Sequence, residues 1–448
     1  MYTVIDYSND IMKIKEKNIL IYGLGVSGIS SVKTLSKMGA NVFTYDEKFK
    51  TKDDLMGYKY SPLLREEIFK NNYDYVIKSP GIKPDDKLFI ELKSKYEVIS
   101  DIEMSYLLFP EKRIISITGT NGKTTTVSLV AHILNENGKK SLTVGNIGEG
   151  ILWKMYNEDA IFIEELSSFQ LHDIYKFHTK FAAITNVTED HIDWHKSFDD
   201  YKKSKFNITK NQTKEDFLII NYDDKVSKEI KTNAKKIYFS SKNKIVGMYL
   251  KDDKIMYNND VFVNTKDLNL IGIHNFENIM CASLLLLNFG LKKDEIVKGL
   301  KSFKAIKHRL QFIKEINGVK YFNDSKGTNV DSTLKALKSF DKNVILIAGG
   351  YDKNIDYSPM IDEFKKIGKY MVLLGQTAEK IAKINKEKNV DFIVVDTIKD
   401  AIKYIYNNSK KGDVALLSPA SASWDMYDNY EQRGDDFINE VNKLLEEK

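Results

Sequence analysis

One short loop in the first third of the chain carries residue types suited to binding phosphate. Its residues are Gly119, Thr120, Asn121, Gly122, Lys123, Thr124 and Thr125. Glycines let backbone N–H groups approach phosphate oxygens, and a helix N-terminus adds a potential that favours anions. Lys123 can offset the charge of the β- and γ-phosphates, and the Thr124 hydroxyl can bind Mg²⁺. The loop predicts a site for a nucleoside triphosphate.

The context of this loop bears on whether it is such a site or a plain glycine-rich turn. The spacing is a compact G-x-x-G-K-T, because Ile117 stands where the usual longer loop has a glycine. An apolar run at 113–117 predicts a strand before the loop, and residues 127–137 are compatible with a helix after it. Strand, loop and helix in this order favour the phosphate site.

A second glycine-rich turn lies near the N-terminus. Residues 18–22 predict a strand, residues 23–28 read G-x-G-x-x-G, and Asp46 follows the next predicted strand at 41–45. This arrangement is typical of Rossmann-like nucleotide-binding units, and a purely structural turn between strand and helix shares it. A further strand-like run enters a tight turn at Gly81. The pattern predicts a second nucleotide site.

Two polar segments follow strand-like runs in the middle of the chain. Strand alternation turns the side chains of Glu164 and Glu165 to opposite faces, so only one can point toward the phosphate loop. Residues 186–195, with His191, are polar and rich in imidazole. Carboxylate and imidazole near a triphosphate could bind Mg²⁺, while a solvated turn has the same composition. The pattern around Lys205 by itself indicates a solvated basic helix face.

Three polar loops each follow an apolar strand-like run in the last third of the chain. They span residues 323–329, 349–353 and 418–425. Open α/β sheets bind ligands at the carboxyl ends of their strands, and these loops contain lysine, serine and threonine. Each alone could be an ordinary turn, but the three together suit an anionic substrate.

The alternation of strand-like and helical runs predicts an α/β protein of three domains. We expect a Rossmann-like domain at 1–106, a central P-loop-type domain at 107–306 and a second Rossmann-like domain at 307–448. Residues 246–263 alternate in polarity between turn signals and predict a small antiparallel appendage on the central domain. Further parallel strands are predicted at 160–164, 181–186, 217–221, 344–348, 371–374, 392–395 and 414–417.

Composition and net charge limit the classes of protein to which this chain could belong. The net charge of +5 arises from 68 basic and 63 acidic residues, and the pI of 8.6 is below the level typical of nucleic-acid-binding domains. Cys281, the single cysteine, lies in an apolar helical pattern and predicts a small buried side chain. Asp6, Asp10 and Lys13 are not followed by an apolar segment, and no apolar run reaches the ~20 residues of a membrane span. We expect a cytoplasmic protein with no nucleic-acid or membrane partner.

Eight motifs resemble, in order and spacing, the ATP-dependent Mur ligases of peptidoglycan synthesis. They are residues 119–125, Glu-Leu-Ser-Ser-Phe-Gln-Leu at 165–171, Asn-Val-Thr-Glu-Asp-His at 186–191, His-Asn-Phe-Glu-Asn at 274–278, His-Arg at 308–309, Asn-Asp-Ser-Lys at 323–326, Gly-Gly-x-Asp-Lys at 349–353 and Ser-Pro-Ala-Ser-Ala-Ser-Trp-Asp at 418–425. The last motif, continuing to Gly434, is similar to the members that add D-glutamate.

The resemblance implies roles for individual residues. Lys123 and Thr124 would bind the ATP phosphates and two Mg²⁺ ions, with Glu165, His191 and a carbamylated Lys205 as metal ligands. ATP would also contact Asn278, Arg309, Asp324 and Lys326. The UDP-linked substrate would contact Val26, Ser27, Asp46, Gly81, Asn146 and His191. D-glutamate would contact Thr328, Lys353, Ser423, Trp424 and Tyr430. Two positions depart from the family pattern, since Lys48 replaces a frequent arginine and Trp424 a commoner leucine.

The resemblance also implies a reaction. ATP would convert the L-alanyl carboxylate of UDP-N-acetylmuramoyl-L-alanine to an acyl phosphate, and the amine of D-glutamate would attack it, giving ADP and phosphate. We expect a monomer whose last domain closes on ATP about a hinge near residues 303–307. The alternatives are a folylpolyglutamate synthase-like ligase, a nicotinamide-dependent dehydrogenase and a non-ligase P-loop protein. The folylpolyglutamate synthase-like alternative is disfavoured by the glycine turn at 23–28 and the motif at 418–434. A dehydrogenase would have no use for the phosphate loop.

Overall fold

The computed structural model describes residues 14–48, 53–304 and 306–444. They contain three β-sheets of five, nine and six strands, and each sheet falls within one of the three predicted domains. Parallel strands joined through helices dominate all three sheets, which confirms the predicted three-domain α/β fold. The exact domain boundaries stay predictions.

The chain forms two compact units. One comprises the residues up to Asp267 together with Glu277–Ser302, and the other comprises Leu268–Phe276 and the residues from Phe303 onward. Ala305 of the predicted hinge at 303–307 lies outside the described residues, as do Asp6, Asp10 and Lys13. Closure about that hinge stays a prediction.

The first sheet has five parallel strands in the order β3-β2-β1-β4-β5. The strands are β1 Asn18–Tyr22, β2 Asn41–Tyr45, β3 Ser61–Pro62, β4 Tyr75–Lys78 and β5 Val98–Ile99. The helices are α1 Val26–Lys37, α2 Lys87–Lys95 and α3 Asp101–Leu108. Three consecutive residues of β1, Ile19 to Ile21, have no exposed surface, because α-helices cover both faces of such a sheet. Strands β1 and β2 have the predicted bounds.

The central sheet has nine strands in the order β14-β13-β12-β11-β10-β9-β6-β8-β7. They are β6 Arg113–Thr118, β7 Ser141–Gly145, β8 Ile161–Glu165, β9 Phe181–Ile184, β10 Phe217–Asn221, β11 Lys235–Ser240, β12 Gly247–Lys251, β13 Lys254–Tyr257 and β14 Asp260–Asn264. Strands β12 to β14 form the expected antiparallel appendage, and β12 pairs with β11 so that the appendage continues the main sheet. Strands β7 and β11 were not predicted, because neither has a continuous apolar run.

The helices of the central region alternate with these strands. They are α4 Lys123–Glu136, α5 Ile151–Asn157, α6 Ser168–His172, α7 Ile192–His195, α8 Phe198–Phe206, α9 Lys225–Lys228, α10 Ile273–Phe289 and α11 Lys293–Ser302. The Cys281 side chain on α10 is fully buried, as predicted. Among the described residues, no helix combines the length and apolar character that crossing a membrane requires.

The third sheet has six strands in the order β15-β16-β20-β17-β18-β19. They are β15 Gln311–Ile316, β16 Val319–Asn323, β17 Val344–Ala348, β18 Gly368–Leu373, β19 Phe392–Val394 and β20 Val414–Leu417. The helices are α12 Val330–Leu337, α13 Ser358–Ile367, α14 Ala378–Lys388, α15 Ile398–Asn408 and α16 Tyr430–Lys443. Only β15 runs antiparallel, and this polar edge strand was not predicted. Strands β16, β20 and β17 are neighbours, so the loops that follow them meet at one edge.

One buried carboxylate ties the first sheet's helices to the central region. Glu103 on α3 is 1% exposed and accepts hydrogen bonds from the backbone N–H groups of residues 175–177 at 2.9, 2.6 and 2.9 Å. Hydrogen bonds to a charged group are stronger than neutral ones, and a buried donor left without a partner is costly. Glu103 therefore fixes the segment that follows α6.

We expect Glu103→Gln to lower the free energy of unfolding by about 1.5–3 kcal/mol, because the amide has a single oxygen and its NH₂ group faces backbone donors. Urea unfolding followed by circular dichroism measures the change. Glu136→Gln, at an exposed position in the last turn of α4, is the matched control. Identical midpoints for the two variants would contradict the assigned role.

Candidate active site

The phosphate loop lies between β6 and α4 and depends on two glycines in left-handed backbone conformations. Gly119 has a φ of 146° and Gly122 a φ of 86°. A Cβ atom on Gly119 would lie 1.9 Å from the Thr185 hydroxyl oxygen, and one on Gly122 would lie 2.3 Å from Asn278 Oδ1. Side chains at either position would therefore force the loop open. The loop packs directly against Asn278, one of the residues predicted to contact ATP.

The segment after β9 holds the phosphate loop in place. The backbone N–H groups of Thr120 and Asn121 donate to the carbonyl and side-chain oxygens of Asn186, at 2.8 and 3.0 Å. The Thr120 hydroxyl donates to the Thr188 carbonyl at 3.0 Å. Two motifs that are distant in sequence, 119–125 and 186–191, thus form one structure, with Lys123 at the N-terminus of α4.

Lys205 is buried against this loop, so the interpretation of its segment as a solvated face is wrong. Its side chain is 2% exposed, and Nζ donates to the Gly119 carbonyl oxygen at 2.7 Å. Lys123 Nζ donates to the same oxygen at 2.8 Å. Burial, and then the charge of Lys123, hold the pKa of Lys205 well below its usual value of 10.5. The site therefore contains an amine whose charged form is disfavoured by its surroundings.

The two consecutive glutamates of β8 have different environments, as strand alternation predicts. Glu164 is fully buried and accepts a hydrogen bond from the Ser116 hydroxyl at 2.6 Å, and burial raises the pKa of Glu164 to about 8. Glu165 accepts from Asn146 Nδ2 at 3.0 Å, and it is Glu165 whose charge acts on Lys205. The glutamate that faces the phosphate loop is therefore Glu165, next to Asn146.

The histidines of residues 186–195 also divide into two roles. His195 is buried, and its ring nitrogens contact Asp200 Oδ2 at 2.7 Å and Ser168 Oγ at 2.9 Å. His191 has a left-handed φ of 53°, and its half-exposed ring lies 4.9 Å from that of Phe169. The ring nitrogens of His195 are thus committed to protein contacts, whereas His191 is presented beside the 165–171 motif.

The residues around the loop fit a hard divalent cation. No group of three or more His, Cys, Asp or Glu side chains arranged for a metal occurs among the described residues. Glu165 Oε2, however, is buried and has no hydrogen-bond partner there, and Thr124, the second residue of α4, supplies a hydroxyl directly after the phosphate loop. Mg²⁺ is bound through one or two carboxylates together with substrate phosphates rather than through an all-protein cage. An orphaned carboxylate oxygen beside a phosphate loop suits that mode.

A separate cavity of 590 Å³ lies at the carboxyl ends of β1, β2 and β4. Asp46 and Gly81, both predicted to contact UDP, line it together with Lys48. The Asp46 carboxylate accepts from the backbone N–H groups of Leu24 and Lys48 at 2.6 and 2.8 Å, so it also shapes the glycine turn. Val26 and Ser27 begin α1 directly after that turn, and Val26 is 61% exposed.

In the second unit, Arg433 binds together the loops that carry the predicted D-glutamate residues. Its guanidinium is 2% exposed and donates to the Ser325 hydroxyl and carbonyl oxygens at 3.0 and 2.8 Å. It also donates to the carbonyls of Ser421 and Ala422 at 3.1 and 3.3 Å. The Tyr351 N–H donates to Ala422 O at 2.9 Å, which adds the loop after β17. The three predicted polar loops therefore form one surface.

Of the residues predicted to contact D-glutamate, Lys353 and Trp424 form one contact pair on this surface, and Tyr430 contacts Lys326, which was predicted to contact ATP. The Lys353 ammonium lies 5.0 Å from the centre of the Trp424 ring, and the Lys326 ammonium lies 4.9 Å from that of Tyr430. Ser423 is 2% exposed, while Thr328 is partly exposed and its N–H donates to the Lys326 carbonyl at 2.8 Å. Two other residues expected to contact ATP in this unit, Arg309 and Asp324, interact electrostatically, and burial raises the pKa of Asp324 to about 7.

Some residues of the site were not predicted. Tyr201 packs its ring 4.7 Å from Lys205 Nζ and shares a hydrogen bond of 2.9 Å with the Thr120 hydroxyl. Asp190 contributes charge to the environment of Lys205. Tyr201 lies four positions before Lys205 on α8 and hence on the same helix face, which was the available signal. The sequence contains less indication of the role of Arg433, because only the fold shows which loops this residue joins.

Comparison with known proteins agrees with this geometry. The chain matches the Mur ligase middle domain over residues 117–286 and the Mur ligase glutamate ligase domain over residues 308–421. It is 40% identical to the UDP-N-acetylmuramoylalanine–D-glutamate ligase of Clostridioides difficile, covering 97% of this chain and 100% of the relative. The ligase of the same name from Caldanaerobacter subterraneus is 37% identical with the same coverage.

Solved structures show the same fold. MurF from Acinetobacter baumannii aligns with a TM-score of 0.62 at 15% identity, covering 96% of this chain and 98% of that one. The UDP-N-acetylmuramate–alanine ligase MurC from Thermotoga maritima aligns with a TM-score of 0.61 at 16% identity, covering 96% and 100%. With two family domains matched and relatives alike over nearly their whole length, this chain belongs to the Mur ligase family, among the UDP-N-acetylmuramoylalanine–D-glutamate ligases.

Proposed function

We propose that this protein uses ATP to join D-glutamate to UDP-N-acetylmuramoyl-L-alanine in peptidoglycan precursor synthesis. The observation that carries the proposal is the phosphate loop packed against Lys205, Glu165 and the 186–191 segment. The full-length relatives favour this reaction over a folylpolyglutamate synthase-like, dehydrogenase or non-ligase function.

The phosphate loop supports the first chemical step. A carboxylate does not condense readily with an amine in water, so the γ-phosphoryl group of ATP is first transferred to the L-alanyl carboxylate. Little covalent chemistry falls to the protein in such a transfer, which depends on positioning and on neutralising charge. Backbone N–H groups at the N-terminus of α4 and the Lys123 ammonium supply that charge.

Four residues would hold Mg²⁺ in this step: Thr124, Glu165, His191 and a carbamylated Lys205. When bound, the ion offsets the negative charge of the phosphoryl oxygens. The protein's own part is to orient the Glu165 carboxylate, and the hydrogen bond from Asn146 does so.

The lowered pKa of Lys205 supports carbamylation. The lone pair of an unprotonated amine can attack CO₂, forming an N–C bond and releasing one proton, to leave a carbamate anion. The product keeps an N–H that can still donate to the Gly119 carbonyl oxygen. The positive charge of Lys123, which disfavours an ammonium at Lys205, favours an anion there.

The second chemical step uses the surface that Arg433 organises. The amine of D-glutamate attacks the acyl phosphate, the C–N bond forms and phosphate leaves. Orientation of the amine requires that the two carboxylates of D-glutamate be held. Lys353 would pair with one carboxylate, and Thr328, Ser423, Trp424 and Tyr430 would complete the contact.

The first test measures phosphate release with each amino acid in turn. We expect ATP turnover only in the presence of UDP-N-acetylmuramoyl-L-alanine, and ligation only when D-glutamate is also added. The amide product is identified by mass spectrometry. Comparable turnover with L-glutamate or meso-diaminopimelate would refute the assignment.

Lys353→Ala tests the D-glutamate contact. We expect the KM for D-glutamate to rise by about 10- to 100-fold while the KM for ATP stays within twofold, because a charge-assisted hydrogen bond of about 1.5–3 kcal/mol is lost. Lys380→Ala, which removes an ammonium paired with Asp352 beside the same loop, is the matched control. A parallel rise in the KM of both substrates would place Lys353 outside the amino-acid pocket.

Lys205→Ala tests the carbamate. We expect kcat to fall by about 10²–10³-fold, as when one charge-stabilising group is lost, with little change in the unfolding midpoint. ¹³C NMR of the protein under ¹³CO₂ should show a carbamate signal that is absent in Lys205→Ala and retained in Lys203→Ala, the exposed neighbour on the same helix. The wild-type rate should also fall when CO₂ and bicarbonate are removed. A wild-type spectrum without the signal would reject carbamylation while leaving the ligase reaction itself untouched.

A further inference from the structure

A cavity of 460 Å³ lies at the amino ends of β6 and β9, apart from the phosphate loop. Arg113 is the first residue of β6, whereas the loop follows the last. Aromatic side chains form much of its wall: Tyr106, Phe109, Phe177, Phe181 and Phe289. Its volume is within the range of about 300–1,000 Å³ in which proteins bind small molecules.

Basic side chains stand around the cavity. Lys112, Arg113 and Lys180 all line it. Lys112 is held by the Glu158 carbonyl at 2.9 Å and by Asp159 at 3.8 Å. None of the ion pairs found among the described residues includes Arg113 or Lys180, and both are exposed. The cavity thus combines aromatic walls with two cations that are available to an anion.

A buried acid with an unsatisfied oxygen lies at the inner wall. Glu164 lines the cavity and has no exposed surface, and its Oε2 accepts from the Ser116 hydroxyl at 2.6 Å. Its other oxygen, Oε1, has no hydrogen-bond partner in the part of the chain that the structure describes. Buried polar atoms are nearly always paired, so this oxygen indicates a missing partner.

The sheet fixes the distance between the two ends of the cavity. Ser116 pairs with Glu164 across β6 and β8 and lies three residues after Arg113. At about 3.3 Å per residue, the Cα atoms of Arg113 and Ser116 are about 10 Å apart along the strand. A molecule that extends from the amino end of β6 to Glu164 must therefore be about 10 Å long.

We propose that this cavity is a second small-molecule site, which binds a flat aromatic carboxylate about 10 Å long with a polar group at its far end. The carboxylate pairs with Arg113 and Lys180, the rings pack against Phe177 and Phe181, and the polar group completes the hydrogen bonding of Glu164 Oε1. The site shares no residue with those assigned to ATP, UDP or D-glutamate and does not depend on the proposed ligation.

The test uses 6-hydroxy-2-naphthoate, a fluorescent compound with this shape, titrated into the full chain. We expect saturable binding of one equivalent that ATP does not displace. Arg113→Gln and Lys180→Gln, both at exposed positions, should each weaken binding by about fivefold or more, as loss of a charge-assisted hydrogen bond predicts. Lys139→Gln, an exposed cation elsewhere in the same unit, should leave it unchanged.

A second probe isolates the inner contact. We expect 2-naphthoate, which lacks the hydroxyl, to bind the wild type about fivefold more weakly than 6-hydroxy-2-naphthoate does. The two probes should bind Glu164→Leu equally, because removing either the hydroxyl or the carboxylate removes the same hydrogen bond. Absence of saturable binding, displacement by ATP, or affinities unaffected by both Arg113→Gln and Lys180→Gln would overturn the proposal. A hydroxyl preference that persists in Glu164→Leu would remove Glu164 from it.

Discussion

The first unit's candidate site depends on two lysines that converge on one carbonyl oxygen. Lys123 and Lys205 both donate to the Gly119 carbonyl, and the left-handed conformation of Gly119 sets where that oxygen points. Burial and, after it, the positive charge of Lys123 hold the pKa of Lys205 well below its usual value. The environment of Lys205 thus depends on the loop's backbone, because the Gly119 carbonyl brings the two lysines together.

The second unit uses a buried cation in the opposite way. Burial lowers the pKa of Arg433 only to about 10, so it stays charged at neutral pH, and its hydrogen bonds to Ser325, Ser421 and Ala422 compensate for the lost hydration. A guanidinium is planar and offers five donors in fixed directions, which a lysine cannot reproduce. Arginine therefore serves as a rigid connector between loops, while burial holds the pKa of Lys205 well below its usual value.

Much of the fold was predictable because its central strands are continuous apolar runs. Strands β1, β2, β10, β17 and β20 have the predicted bounds. Strands β7, β11 and β15 were missed, since each has polar residues along it and its position is set by pairing with a neighbouring strand. A continuous apolar run in the sequence predicts a strand that is buried on both faces. No such run marks a strand whose position is set only by pairing with a neighbouring strand.

The candidate site, like the fold, was predictable from the sequence only in part. Its loops were predictable from glycine, lysine and threonine placed after strands, and the strand period separated Glu165 from Glu164. The burial of Lys205 was not predictable from its own segment, because Tyr-Lys-Lys-Ser-Lys has no apolar face and the covering surface comes from the distant phosphate loop. Family resemblance singled out Lys205, and the structure shows that its side chain is buried against the phosphate loop.

Trp424, which departs from the leucine commoner in the family, shows how one substitution changes the energetics of Lys353, a residue predicted to bind D-glutamate. Its ring is 62% exposed and lies under the Lys353 ammonium. A cation–π contact at an exposed position contributes about 0.5–1 kcal/mol, while a hydrogen bond from an ammonium to a carboxylate contributes about 1.5–3 kcal/mol. The ring can therefore restrict Lys353 before the substrate arrives without outcompeting the substrate carboxylate. A leucine at this position would leave the full side-chain entropy of Lys353 to be lost on binding.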